Sequence, residues 1–331
     1  MVDPTSSDRP TMAEIAHAAG VSLATVSKVW NGRADVSDRT RDRVEELLRV
    51  HGYRGRRQWH TEAAGTVDVI FSEIDCAWEG EHLRGIEAAA HEAGARVVVS
   101  SLDRGETARR QLLQRLRAGR TDGAILATMT AAGPLVAALN RLNVPVVALD
   151  PLRAPAGDLL SVDAANFAGA RAATAHLLEL GHRRIGLVAG LDQLLCSRAR
   201  LDGFLAAHDE AGVPPDLDLV EHGEFDFPSG IAAGGRLLDR SVPPTAVFAM
   251  SDYMAIGVYE AARLRGVSVP DQLSVVGFDD LPGARWAAPP LTTVRQPLRE
   301  MGALAVRTAL GLAGGGVLDT QLVVRESTAP I

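Results

Sequence analysis

Residues 11–53, TMAEIAHAAGVSLATVSKVWNGRADVSDRTRDRVEELLRVHGY, decide how the N-terminal part of the chain folds. Thr11 and Glu14 stand at capping-box spacing, which opens a helix. Met12, Ile15, Ala16 and Ala19 then recur at helical period. Gly20 supplies a turn, since a left-handed backbone costs glycine little. Ser22 is placed to cap a second helix with Val26, Val29 and Trp30 inward and Ala24, Ser27 and Lys28 outward. Ser37 is placed to cap a third, with Val44, Leu47 and Leu48 on one face and Gly52 at its end. Three short helices with a tight glycine turn between the first two describe a helix-turn-helix unit. The alternative is a plain three-helix bundle that docks a protein partner.

A helix of this kind presents its first turns to base edges in the major groove. Short residues such as Ala24 permit close approach and can touch a thymine methyl, and Lys28 can reach guanine acceptors. Lys28 is the sole lysine among 34 basic residues. Thr11, Ser22, Thr25, Asn31 and Thr40 are small donors suited to phosphates, which fix position without reading sequence. The whole chain carries a net charge of -7. That argues against non-specific coating of nucleic acid, but not against a local basic face.

The stretch AGVSLATVSKVWNG resembles the headpiece of the lactose/galactose repressor (LacI/GalR) family. The resemblance implies that Leu23, Ala24 and Lys28 read bases. The family commonly carries arginine at the last of these positions, and a lysine point charge differs from an arginine fork. After Tyr53 the family continues with a hinge helix of the type Pro-Asn-x-x-Ala-Arg-x-Leu. This chain instead reads Arg54-Gly55-Arg56-Arg57-Gln58-Trp59, without the proline, the asparagine or the leucine. Arg54 and Arg56 are expected along phosphates. Trp59 is read as packing on the core rather than as a wedge, and the departure predicts a weaker central kink in bound DNA.

From Thr66 onward, strand-like runs alternate with helical ones. The strands are expected at Val67–Phe71, Arg96–Ser100, Ala124–Ala127, Val144–Leu149, Arg184–Val188, Thr245–Met250 and Ser274–Phe278. The helices are expected near 80–93, 106–118, 164–180, 198–211, 229–240 and 252–265. This alternation describes parallel sheets with helices on both faces, in two successive units. The resemblance adds a periplasmic-binding-protein-like core whose chain crosses back between subdomains; Pro289-Pro290-Leu291-Thr292-Thr293-Val294-Arg295-Gln296-Pro297 is a second family signature at one such crossing. The expected organisation is an α-helical helix-turn-helix headpiece (1–52), a basic linker (53–65) and an α/β core of two doubly wound parallel-sheet subdomains (66–331). The first subdomain spans 66–162 and 293–319, the second 163–292 and 320–331. Gly314-Gly315-Gly316 reads as a flexible turn.

Ligands of open parallel sheets bind beyond the carboxyl ends of the strands. Asp75, Asp150, Ser251 and Asp279 follow strands, Arg200 sits early on a helix, and Trp78 and Phe225 are aromatics that can cover a sugar ring. Carboxylates and arginine suit hydroxyls that both donate and accept. Each aspartate after a strand can instead cap the next helix, and Asp252 and Asp280 are read that way. The resemblance assigns ligand contacts to Arg200, in Cys-Ser-Arg-Ala-Arg-Leu-Asp-Gly-Phe, and to Asp279, in Val-Gly-Phe-Asp-Asp. It also matches Phe225 to a ring-stacking position and Asp150 to the pocket wall, while Ser251 stands where some members carry asparagine. Asp75 and Trp78 rest on position alone.

The expected function is a transcriptional regulator, by family default a repressor, that binds a pseudo-palindromic double-stranded operator as a homodimer. A small effector, expected to be a sugar, would control it. No heptad tail follows residue 325. Cys76 and Cys196 form no metal-ligand spacing, and neither catalytic residue, metal nor cofactor is expected. An enzyme would need a motif such as GxGxxG after the first strand, a Walker loop, HExxH or GxSxG, and none is found. A sugar-binding protein without regulatory DNA binding would lack the headpiece. The polar N-terminus has no apolar signal core and no run is long enough to span a bilayer. A cytoplasmic protein with no membrane partner is therefore expected.

Overall fold

The computed structural model describes residues 12–30, 36–50, 65–102, 110–114, 116, 121–127, 133–142, 144–151 and 159–331. It divides into two compact units, residues 1–63 and 64–331. The expectations for Thr11, Asn31 and the linker with Arg54, Arg56 and Trp59 fall outside the described residues.

In the N-terminal unit, α1 (Met12–Ala19), α2 (Leu23–Trp30) and α3 (Asp38–Val50) enclose one small core. Ile15, Ala16, Ala19, Val26, Val29, Val44 and Leu48 are buried in it. Gly20, at φ 64°, ends α1. Its N–H donates to the His17 carbonyl at 3.1 Å, and the next N–H, of Val21, donates to Ala16 at 3.0 Å. This pair of bonds is the Schellman pattern, which needs a left-handed residue at that place. Ser22 then accepts the Thr25 N–H at 3.1 Å, a cap that stabilises α2 by about 1 kcal/mol. The Ser37 hydroxyl bonds the Thr40 hydroxyl at 2.8 Å at the start of α3.

The second unit has two lobes, each on a six-stranded sheet. Lobe 1 has the order β11-β5-β4-β3-β1-β2 and lobe 2 the order β12-β10-β9-β8-β6-β7. The strands of lobe 1 are β1 (Thr66–Phe71), β2 (Arg96–Ser101), β3 (Gly123–Ala127), β4 (Val146–Leu149), β5 (Leu160–Ala164) and β11 (Gly316–Leu318). Those of lobe 2 are β6 (Ile185–Ala189), β7 (Val220–His222), β8 (Ala246–Ala249), β9 (Ser274–Asp279), β10 (Thr292–Arg295) and β12 (Gln321–Val323). All pairings are parallel except β10 with β12. Both lobes therefore share one winding, with a switch point beside the first strand of each.

Alternation along β1 shows why helices cover both faces. Val67, Val69 and Phe71 pack in one cluster with α4 (Ala77–Glu92) and α11 (Leu298–Ala309), whereas Ile70 packs on the opposite face with Leu135 and Leu139 of α5 (Gly133–Arg141). Lobe 2 has a single cluster around its sheet, with α6 (Asn166–Glu179), α7 (Leu195–Glu210), α8 (Phe227–Leu238) and α9 (Asp252–Leu264). A short α10 (Pro282–Trp286) follows β9.

The chain crosses between lobes three times, and two crossings differ from the expected boundaries. The first follows Ala164 rather than 162, because β5 pairs with β4 in lobe 1. The second follows Arg295 rather than 292, because β10 pairs with β9 in lobe 2. Gly316, expected in a flexible turn, pairs with Val162 as the first residue of β11. Among the described residues no helix is long and apolar enough to cross a membrane.

Candidate functional site

Two sets of exposed or strained residues stand out. The first lies on α2. Successive helix positions differ by about 100°, so Leu23, Ala24 and Lys28 share one face opposite buried Val26 and Val29. All three are exposed, Leu23 by 52%. From Leu23 to Lys28 the helix rises about 7.5 Å, close to two base-pair steps. Ser22 and Thr25 are partly committed, since their hydroxyls bond each other at 2.9 Å, and Thr40 is bonded to Ser37.

The second set lies where the carboxyl ends of the two sheets face one another. Four non-glycine residues among those described have positive φ: Asp150 (48°), Phe225 (65°), Asp279 (118°) and Asp280 (55°). Such backbone costs about 1–3 kcal/mol per residue and clusters at ligand sites. Three of the four are residues that the sequence singled out for ligand binding.

Arg200, in the second turn of α7, is the centre of this crevice and is 2% exposed. Its Nε donates to Asn166 Oδ1 at 2.8 Å, and its Nη1 donates to the Met250 carbonyl. The guanidinium lies 3.8 Å from the Phe278 ring centroid and 5.9 Å from that of Phe225. Phe225 reaches this place because residue 190 is glycine: a Cβ there would meet the Phe225 ring at 2.1 Å. Asp279 Oδ1 stands 3.8 Å from Arg200 Nη1 and accepts from Gln296 Nε2 at 2.7 Å.

Among the described residues, three acids surround this arginine. Burial pushes the Asp279 carboxyl up to about 6, against the opposing pull of Arg200 and the Gln296 bond. Burial, with the neighbouring Asp163, pushes Asp150 up to about 7. Burial also raises Asp163, whose carboxylate accepts from the Ala164 N–H at 2.9 Å and from Asn166 Nδ2 at 3.3 Å. The Cys196 thiol, raised by burial to about 12, stays protonated beside them. Two buried polar atoms, Ser197 Oγ and Gln296 Oε1, have no hydrogen-bond partner among the described residues. Buried groups of this kind are satisfied by ordered water or by a ligand.

The other expected site residues make contacts of their own. Asp75 is exposed on the loop after β1, and Trp78 packs against His82 at 4.2 Å between ring centroids. No hydrogen bond or ring contact among the described residues joins either to Arg200. They stand instead near Tyr253 of lobe 2, whose hydroxyl accepts the Ala77 N–H at 3.1 Å. Ser251 caps α9 by accepting the Met254 N–H at 3.2 Å. Asp75, Cys76 and Glu79 converge within 4.8 Å. The Cys76 thiol donates to Glu79 and is pushed up to about 12, chiefly by burial.

The cap reading of Asp252 and Asp280 is corrected. Asp252 is buried, and its carboxylate accepts from the Leu281 N–H at 2.7 Å and the Thr293 hydroxyl at 2.5 Å, tying the loop after β9 to β10. Asp280 pairs with Arg295 at 2.7 Å and also with Arg325, fastening the C-terminal segment. The sequence reading missed Asp163, Asn166, Ser197 and Gln296. Asp163 is the penultimate residue of a strand, Leu160–Ala164, that the sequence reading did not assign.

Comparison with known proteins follows the same division. Residues 11–55 match the family described as bacterial regulatory proteins, lacI family, and residues 174–329 match a periplasmic binding protein-like domain. The HTH-type transcriptional regulator DegA of Bacillus subtilis is 36% identical over 98% of this chain and 99% of its own length. A solved complex of the transcriptional regulator CelR with cellobiose is 35% identical, with a TM-score of 0.72 over 96% of this chain and 100% of that one. A lac repressor dimer bound to operator and an anti-inducer is 30% identical, with a TM-score of 0.70 over 97% and 100%.

Proposed function

The chain belongs to the lacI family of bacterial regulatory proteins and is a DNA-binding transcription regulator; from that premise we propose that a sugar held in the interlobe crevice sets its affinity for operator DNA. Arg200, Asp150 and Asp279 grip the sugar hydroxyls, with Asn166 holding Arg200 in place. Phe225 covers a ring face. Leu23, Ala24 and Lys28 read bases, and two copies of the chain present two headpieces to a pseudo-palindromic site. The CelR–cellobiose complex supports the sugar, and the operator-bound lac repressor dimer supports the assembly. The reading is one of binding without turnover.

The observation that carries it is the buried Arg200–Asp279 pair, 3.8 Å apart, bordered by strained Phe225 and by orphaned Gln296 Oε1. A ligand shifts an equilibrium only by its differential affinity for the two states. Contacts from both lobes, Asp150 on one and Arg200 and Asp279 on the other, favour closure, and closure is the state coupled to DNA affinity. The test is Asp279→Ala, with DNA selected from a random pool by the wild-type protein. The variant is expected to bind this DNA normally and to lose its response to the sugar that shifts the wild type. An intact response refutes the pocket assignment.

A further inference from the structure

Resting on the reading of the crevice as a sugar site, we infer that the effector is an uncharged polyhydroxy compound and that Asp150 and Asp163 enforce this choice by excluding phosphorylated or carboxylated relatives of the same sugar. The register of lobe 1 sets these two side by side. Leu149 pairs with Val162, and the Asp150 N–H donates to the Val162 carbonyl at 2.9 Å. The strands thus deliver two carboxyls side by side at their carboxyl ends.

Charge decides what such a place accepts. Among the described residues, Arg200 is the one positive group acting on all three acids. Its charge is directed to Asp279, and two of its N–H groups are spent on Asn166 and Met250. The Asp150–Asp163 pair has no cation of its own there. Burial raises both carboxyls, and Asp150, raised further by the neighbouring Asp163 to about 7, is partly protonated near neutral pH.

A half-protonated pair offers both a donor and acceptors, which is what a vicinal diol requires, since each hydroxyl both donates and accepts. A phosphate or carboxylate offers acceptors only and brings negative charge against negative charge in a partly buried cleft. At about 4 Å and an effective dielectric of about 20 that repulsion weakens binding by a factor of at least about 100. Arg200 cannot offset it without releasing Asp279, which would then add to the repulsion.

The test uses the full-length protein and two sets of probes, read by thermal shift and titration calorimetry. The neutral set is glucose, galactose, ribose and cellobiose. The anionic set is glucose 6-phosphate, galactose 6-phosphate, ribose 5-phosphate and glucuronate. A neutral probe is expected to bind at least about 100-fold more tightly than its anionic counterpart. Asp150→Asn with Asp163→Asn, near-isosteric and uncharged, is expected to narrow that gap to about tenfold or less, as are the single variants in part. An anionic probe binding within tenfold of its neutral parent overturns the inference. So does a wide gap in wild type that persists in folded Asn variants, which would place the discrimination elsewhere while leaving the sugar reading intact. If no probe of either set binds, the sugar reading itself fails and the inference falls with it.

Discussion

Replacing Arg200 with methionine keeps most of the side chain's length and apolar contact while removing its charge. The Asn166 oxygen and the Met250 carbonyl each lose a charged donor, and Asp279 loses its partner at 3.8 Å. A hydrogen bond to a charged group contributes about 1.5–3 kcal/mol, and leaving a buried charge unpaired costs about 3–5 kcal/mol. The terms share atoms and do not add, so a loss of about 3–5 kcal/mol in unfolding free energy is expected. The loss must also depend on pH. In the wild type Asp279 is pushed up to about 6 and Asp150 to about 7, both above the ordinary aspartate value of 3.8. The folded state therefore keeps protons that the unfolded chain has released, and stability falls as pH rises from about 4 to 7. Without Arg200 both carboxyls rise further, and the falling window extends above 7. Each added unit corresponds to about 1.4 kcal/mol. Urea denaturation at pH 6 and pH 8, at fixed protein concentration because assembly is linked to stability, should show the variant's deficit growing by about 1 kcal/mol or more. A deficit below about 1 kcal/mol, or one equal at both pH values, would mean that the crevice is hydrated well enough for water to replace the guanidinium.

Lys28→Ala should weaken binding to selected operator by about 1–3 kcal/mol, or about 5- to 150-fold, by fluorescence anisotropy at fixed salt. Binding to random-sequence DNA and to sugar should change little; an equal loss on random DNA would make Lys28 a phosphate contact. His82 is fully buried, its Nδ1 bonded to the Trp78 carbonyl at 3.0 Å, and burial lowers its pKa from 6.5 to about 4. The unfolded chain binds a proton that the folded state refuses, so His82 subtracts stability as pH falls from 6.5 towards 4. Relative to His82→Phe, wild type should lose about 2 kcal/mol between pH 7 and pH 5, measured by denaturation at each pH. The carboxylates of the crevice are common to both proteins and cancel in the difference. Parallel pH profiles would show that His82 accepts its proton in place.

Local chemistry made the headpiece legible. The glycine after α1, the serine before α2 and the helical spacing of apolar residues within each helix are short-range signals, and each acts in the structure as its chemistry dictates. The buried central strands were equally plain, because continuous valine, isoleucine and leucine runs follow from helices covering both faces. The edge strands were not. Gly316–Leu318 is a strand only because Val162 and Ala164 lie beside it, a pairing set by the crossing of the chain. Helix Gly133–Arg141 opens with glycine and proline, which mask its apolar face. The crevice was half legible. An aspartate after a strand points to the site, but Asp252 and Asp280 obey the same rule and serve as fastenings. What separates Asp279 from Asp252 is where each carboxylate points, and partners far along the chain decide that: Gln296 and Arg200 for one, Thr293 and Leu281 for the other.

The central claim is that the crevice and the reading helix belong to one thermodynamic cycle. The direct measurement is the dissociation constant of full-length protein for its selected operator, with and without a saturating neutral sugar from the probe set, beside the sugar's own affinity with and without operator. Linkage predicts that both change by the same factor, about 5- to 150-fold for a coupling of about 1–3 kcal/mol. An operator affinity that stays constant while the sugar demonstrably fills the crevice would contradict the account.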